Sequence, residues 1–172
     1  MHIPMWHDDP SYTIAIVTKA DKAKHPECKL LNAEEHHKYR EYVGKLMYLM
    51  VCTRPDIAFT VNFLARFCGA SEKRHMYLLM KLVRYLKYTR NMGIFYPATK
   101  LGEKPKFDLV GYVDAAFEDC VNTRKSTSGY LFCINGSPMT WGSSRQTVVT
   151  TSSTEAEYVA ASDGAKEAIW IR

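Results

Sequence analysis

Two carboxylates stand at positions where a structural role alone does not explain them. Asp114 lies in VGYVDAAF, whose period of two predicts a β-strand, although Asp is disfavoured inside strands. Glu157 follows in a predicted helix, on a face that it shares with the small residues Ala160, Ala161, Gly164, Ala165 and Ala168. Small residues allow a helix to pack closely against a sheet, and a carboxylate held there is costly unless a cation meets it.

If this helix packs across the sheet that contains Asp114, the two carboxylates can meet. Hard oxygen ligands suit Mg²⁺ or Mn²⁺, so the pair predicts a divalent metal site with Asp114 and Glu157 as ligands. An edge position or a hydrogen-bonded core Asp explains Asp114 equally well. Glu155 already has a structural role, since Ser152 three residues earlier completes a capping box.

The elements that must position these acids follow a polar segment, residues 1–38. From Tyr39 to Met50, apolar residues recur at the spacing of an amphipathic helix. A second helix is predicted through IAFTVNFLARF, with Pro55 in its first turn, and a third over 72–90. Residues 39–96 are therefore predicted to be helical, and the Pro-, Gly- and Lys-rich residues 97–106 to be a linker.

Residues 107–172 are predicted to form a second domain of three antiparallel strands followed by one helix. The strand segments are DLVGYVDAAF, STSGYLFCI and SPMTWGSSRQTVVTT. Asn135-Gly136 is a hairpin turn signal between the second and third strands, and Gly142 is expected to mark an irregularity in the third.

The helix predicted over 72–90 is rich in cations and has no acid after Glu72. Lys81, Arg84 and Lys87 are therefore candidate contacts to nucleic-acid phosphates, although a solvated helix face is the alternative explanation. The net charge of +5 and the pI of about 8.9 permit binding to nucleic acid without requiring it.

The composition favours an intracellular chain. The five cysteines are an odd number without a CxxC spacing, which is typical of free thiols rather than of a disulfide framework or a zinc finger. The N-terminus has no apolar segment of a signal peptide, and no apolar run reaches the ~20 residues of a membrane span, so no membrane partner is expected.

Several motifs make a resemblance to a known family. YREYVGKLMYLMVCTRPDIAFTVNFLARF resembles the region that follows the reverse transcriptase in copia-type retrotransposon Pol polyproteins. RKSTSGY, W.S..Q and SSTEAEY..A...KEA.W resemble the ribonuclease H domain of the same polyproteins. The resemblance covers residues 39–172. It implies an α/β, ribonuclease H-like mixed sheet preceded by a helical connection segment.

The resemblance also implies an activity, cleavage of the RNA strand of an RNA–DNA hybrid by two Mg²⁺ (or Mn²⁺) ions. In this comparison Asp114 corresponds to the catalytic aspartate of the first strand and Glu157 to the glutamate of the helix. Arg124 and Lys125, after the first strand, are expected near the hybrid backbone because of their charge and position. The family places such a protein in the cytoplasm, in virus-like particles, or in the nucleus.

This chain departs from the family pattern at several positions. Ala116 stands where the family usually has a second Asp, and Phe117 where it has Trp. The family's later catalytic acids would follow Arg172, and neither Asp163 nor Glu118 or Asp119 is expected to replace them.

The fold is therefore predicted to be truncated and the isolated chain inactive without the remaining Pol chain or self-association. A basic nucleic-acid-binding module without catalysis is the alternative function. An open sheet edge predicts marginal stability or self-association.

Overall fold

The structure, a computed structural model, describes residues 29–98, 107–117 and 123–172. Most of the predicted polar segment and linker, together with Glu118 and Asp119, lie outside the described residues. The described helices are α1 (Ala33–Cys52), a 3₁₀ turn (Pro55–Ile57), α2 (Ala58–Ala65), α3 (Lys73–Tyr88) and α4 (Ser153–Ile171). The strands are β1 (Leu109–Ala116), β2 (Thr127–Ile134) and β3 (Ser137–Arg145).

The chain divides into two compact units. The first contains the described residues up to Leu49 and Thr60–Met92, and the second contains Met50–Phe59 and the described residues from Gly93 to Arg172. The residues around the 3₁₀ turn therefore group with the later part of the chain. The predicted bounds, in contrast, placed all of residues 39–96 in one helical region.

The first unit is helical, and α1 is fixed in it by a cap at its start and by a buried tyrosine. Helix α1 begins at Ala33, before the apolar pattern starts at Tyr39, because Asn32 and Glu35 exchange backbone-to-side-chain hydrogen bonds of 3.1 and 2.8 Å. The buried Tyr39 donates its hydroxyl to the Leu64 carbonyl at 2.7 Å. Burial raises the pKa of the Tyr39 phenol well above its usual range.

Helix α3 buries one narrow apolar face and exposes the other. Its buried residues are His75, Leu79 and Leu82, spaced four and three residues apart. The His75 ring stacks on Phe67 with 3.8 Å between centroids, and its Nδ1 accepts the Glu72 backbone N–H at 3.0 Å. A histidine thus fills the place that Glu or Gln takes in the usual capping box.

The second unit is built on an antiparallel sheet in the order β1-β2-β3. Asn135 and Gly136 join β2 to β3 with φ angles of 52° and 79°, the two positive values that a type I′ turn needs. The predicted hairpin is therefore confirmed. Among the described residues, β1 pairs only with β2 and its other edge is open.

The expected irregularity at Gly142 was wrong. Gly142 is a regular ladder position opposite Tyr130, and a Cβ there would lie 2.7 Å from the Tyr130 ring, so glycine makes room for that ring. The register shift occurs instead between Phe132 and Cys133, which face Thr140 and Pro138 across the ladder.

Helix α4 packs on the face of the sheet that presents Val113. Its buried residues Ala156, Ala160 and Gly164 lie four residues apart and form the contact stripe. A Cβ on Gly164 would lie 2.5 Å from Val113 Cγ2, so the helix backbone approaches β1 more closely than an alanine would allow.

The predicted fold class is confirmed. The described part is mixed α/β, with helices that precede a three-stranded antiparallel sheet and one helix that follows it. This arrangement is consistent with the predicted truncated ribonuclease H-like fold. Among the described residues, every helix is too short or too polar to cross a bilayer.

Candidate functional site

Asp114 lies in the middle of the edge strand. Its Cα partner across the ladder is Gly129, and its carboxylate accepts the Ala115 backbone N–H at 2.9 Å. Successive strand residues point to opposite faces, so Asp114 lies on the face opposite to Val113 and to α4. The side chain is exposed, so of the two structural explanations the edge position applies and the hydrogen-bonded core Asp does not.

Glu157 lies near the start of α4 and is also exposed. The helix contacts the sheet through Ala156 and the residues four and eight positions later, and Glu157 lies about 60° around the helix from the centre of that stripe. The expectation of a partly buried Glu157 was therefore wrong, as was the placement of Ala161 and Ala165 against the sheet, since both are exposed. Because the Glu157 carboxylate is exposed to water, it has no burial cost that a cation must offset.

One buried side chain joins the start of α4 to the second strand of the sheet. Gln146, which is 3% exposed, donates its Nε2 to Ser128 Oγ at 3.1 Å and to the Ala156 carbonyl at 2.8 Å. Ser128 precedes the ladder partner of Asp114, and Ala156 precedes Glu157. The amide therefore fixes the start of α4 against β2, on the face of the sheet opposite to the Asp114 side chain.

The N-terminus of α4 is held by further hydrogen bonds. Ser152 Oγ accepts the Glu155 backbone N–H at 3.1 Å, which is one of the two bonds of the predicted capping box. The Glu155 carboxylate accepts from the backbone N–H and hydroxyl of Thr151, at 2.6 and 3.0 Å. These bonds lower the pKa of Glu155, so this acid is ionised and has a structural partner.

The predicted basic contacts differ in their surroundings. Arg124 is exposed and has a φ of 53°, a left-handed conformation that non-glycine residues seldom adopt. The Lys125 ammonium donates to the Thr147 carbonyl, which connects the segment before β2 to the segment after β3. Lys81, Arg84 and Lys87 are exposed on α3, in the other unit.

The described residues do not form a complete metal site. No group of three or more His, Cys, Asp or Glu side chains able to hold an ion occurs within residues 29–98, 107–117 and 123–172. Asp163, which the sequence analysis set aside, pairs with Lys166 at 2.9 Å. A two-metal centre needs more carboxylates than Asp114 and Glu157, so this part of the chain fits such a centre only as a contributor.

Comparison with known proteins identifies the family. The chain is 43% identical to secreted RxLR effector protein 161 of Plasmopara viticola, over 77% of this chain and 90% of that protein. It is 41% identical to the retrovirus-related Pol polyprotein from transposon TNT 1-94 of Nicotiana tabacum, over 78% of this chain. A match of 38% joins it to the Pol polyprotein from transposon RE1 of Arabidopsis thaliana, over 77% of this chain.

The chain belongs to the copia-type retrotransposon Pol family. It spans about a tenth of the Pol polyproteins that it matches, 10% of TNT 1-94 and 9% of RE1. No protein-family profile matches it. No solved structure matches it either.

Two features of this Pol segment were missed as structural determinants in the sequence analysis. Gln146 was noted only as the last letter of the W.S..Q motif, within the predicted third strand. In the TRPDIA motif, Arg54 is 7% exposed and pairs with Asp56 through two bonds, Nε to Oδ1 at 2.9 Å and Nη2 to Oδ2 at 2.7 Å. Such a forked pair needs arginine geometry.

The tryptophan of W.S..Q also has a defined partner. Trp141 donates its indole N–H to the Met50 carbonyl at 2.8 Å. This bond joins Met50 to the sheet within the second unit, and it links two of the motifs on which the Pol resemblance rests.

Proposed function

We propose that this chain contributes to a ribonuclease H-type site that hydrolyses the RNA strand of RNA–DNA hybrids. In this proposal Asp114 and Glu157 are two of the carboxylate ligands for Mg²⁺ or Mn²⁺. The remaining carboxylates come from the rest of a Pol polyprotein or from a second copy of this chain. The substrate is an RNA–DNA hybrid, whose backbone Arg124 approaches.

The observation that carries the proposal is the Gln146 bridge. A buried amide holds the start of the Glu157 helix against the strand that pairs with Asp114. Both carboxylates are exposed and are therefore accessible to an ion and to a polyanionic substrate. The membership in the Pol family supports the same assignment.

The proposal gives each positioning residue a distinct role. Ser152 and Gln146 fix the direction of α4. The Gly164 contact with Val113 fixes the distance of α4 from the sheet. Lys125 orders the segment that carries Arg124, through its bond to the Thr147 carbonyl.

The test is cleavage of a labelled RNA–DNA hybrid by the chain in Mg²⁺ and in Mn²⁺. The matched control is the double variant Asp114→Asn, Glu157→Gln, purified in the same way, which removes the two charges and reveals any contaminating host nuclease. At concentrations at which the chain is monomeric, the wild type should cleave no faster than the double variant, because Asp114 and Glu157 alone are fewer carboxylates than a two-metal centre needs. Cleavage by the wild-type monomer alone would contradict the need for further carboxylates.

A further inference from the structure

Helix α3 carries a stripe in which cations and aromatic rings alternate. We call it the basic–aromatic stripe, and its members are Lys73, Tyr77, Lys81, Arg84 and Tyr88. They are spaced four, four, three and four residues apart, which places them within an arc of about 80° on one side of the helix. The buried residues of α3 lie on the opposite side.

The two tyrosines of this stripe are exposed. Tyr88 is 72% exposed and Tyr77 is 38% exposed. The Lys81 ammonium lies 4.9 Å from the centroid of the Tyr77 ring, so this cation and this ring form one contact pair. Two large aromatic side chains therefore present surface to solvent on this side of the helix.

The charge of α3 is of one sign along the stripe. From Lys73 to Tyr88 the helix contains no Asp or Glu, and Lys87 adds a further exposed cation beside the stripe. A surface of one charge that also offers aromatic rings is complementary to a polyanion with exposed bases.

We propose that the basic–aromatic stripe binds single-stranded nucleic acid. Cations that follow the backbone, interleaved with rings on which unpaired bases stack, are the combination that single strands need and that duplexes, whose bases are already stacked, do not use. Tyr77 and Tyr88 are eleven residues apart, about 17 Å along the helix axis. That distance corresponds to about five stacked nucleotides at 3.4 Å each.

This binding is distinct from the proposed hydrolysis. It uses residues of α3 only, whereas Asp114 and Glu157 lie in the other unit, and it needs no metal ion. Binding measured in EDTA therefore tests the stripe alone. A failure of hybrid cleavage would leave this inference unaffected.

The experiment is fluorescence anisotropy with the full chain and a labelled oligothymidylate of about 15 nucleotides, a length within the usual site sizes of single-strand binders. A mixed-sequence duplex of the same length is the competing ligand. The single strand should bind more tightly. Four cations (Lys73, Lys81, Arg84 and Lys87) should give a slope of about −3 for log K against log salt.

Variants separate stacking from charge. Tyr77→Ala and Tyr88→Ala should each weaken oligothymidylate binding about 5- to 100-fold, while Tyr77→Phe and Tyr88→Phe should keep the affinity because phenylalanine still stacks. Tyr48→Ala is the matched control, since Tyr48 is also 72% exposed but lies on α1, and it should have no effect.

Two results would overturn the inference. One is a duplex that binds as tightly as the single strand. The other is that both alanine variants bind with normal affinity although Arg84→Gln binds more weakly. That result would mean that the surface contacts phosphates only. Circular dichroism of each variant confirms that it is folded before its affinity is compared.

Discussion

Substitution of Gly164 tests whether α4 packs against β1 as closely as the structure shows. Ala in place of Gly in a helix interior normally stabilises by about 1 kcal/mol. At Gly164 the new methyl would lie 2.5 Å from Val113 Cγ2, and valine has little freedom to rotate away. Overpacking of this kind costs about 1–3 kcal/mol, so Gly164→Ala should be neutral to destabilising by about 2 kcal/mol in all.

Gly44→Ala is the matched control for this substitution. Gly44 is an exposed residue of α1, and no atom lies within 4 Å of the position that the alanine methyl would take, so only the helix propensity changes. Gly44→Ala should raise the melting temperature, followed by far-UV circular dichroism, by about 2–4 °C. Gly164→Ala should not raise it.

A double-mutant cycle identifies the cause. Val113→Ala removes the methyl group that the new Cβ would meet, so it should cost less in the Gly164→Ala background than in the wild type, by about 1 kcal/mol or more. Equal stabilisation by Gly44→Ala and Gly164→Ala, with no coupling to Val113, would refute the close packing and with it the position of the Glu157 helix.

Three further predictions concern the residues that hold the elements together. Gln146→Leu should lower the free energy of unfolding in urea by about 1–3 kcal/mol, because the Ala156 carbonyl and Ser128 lose a buried donor; no change would contradict the bridge. Ser152→Ala should cost about 1 kcal/mol and Ser152→Asn much less, by the same measurement, if the cap is as described. Burial lowers the pKa of His75 to about 4, so the neutral ring stabilises the fold above the ordinary pKa of about 6.5, and urea titrations should show stability falling between pH 6.5 and 4, by at most about 3 kcal/mol. His75→Gln should remove that fall, and an unchanged pH dependence in this variant would contradict the assignment.

The sequence predicted those elements whose signals are local. Asn135-Gly136 can adopt two positive φ angles cheaply, so the hairpin followed from two residues. Ser152 and Glu155 likewise fixed the start of α4. The start of α1 was placed too late because the interpretation followed the apolar pattern from Tyr39 and overlooked the Asn32 cap.

The arrangement of the site was harder to predict, because it depends on contacts between elements. Ala156, Ala160 and Gly164 form the face of α4 that contacts the sheet. The predicted contact face included Glu157, which is one residue further along the helix and points outward. Gly142 was assigned to an irregularity because the Tyr130 ring that occupies its space is not adjacent in sequence. The roles of Asp114, Glu157 and the basic residues stay predictions.

The central claim is that Asp114 and Glu157 belong to a hydrolytic site that other carboxylates complete. The most direct test replaces the corresponding segment of a copia-type Pol polyprotein that has measurable ribonuclease H activity with residues 107–172 of this chain. The hybrid-cleaving activity should persist in the chimera, and Asp114→Asn or Glu157→Gln should each abolish it, whereas Asp163→Asn should not. Activity that survives both of the first two substitutions would contradict the claim.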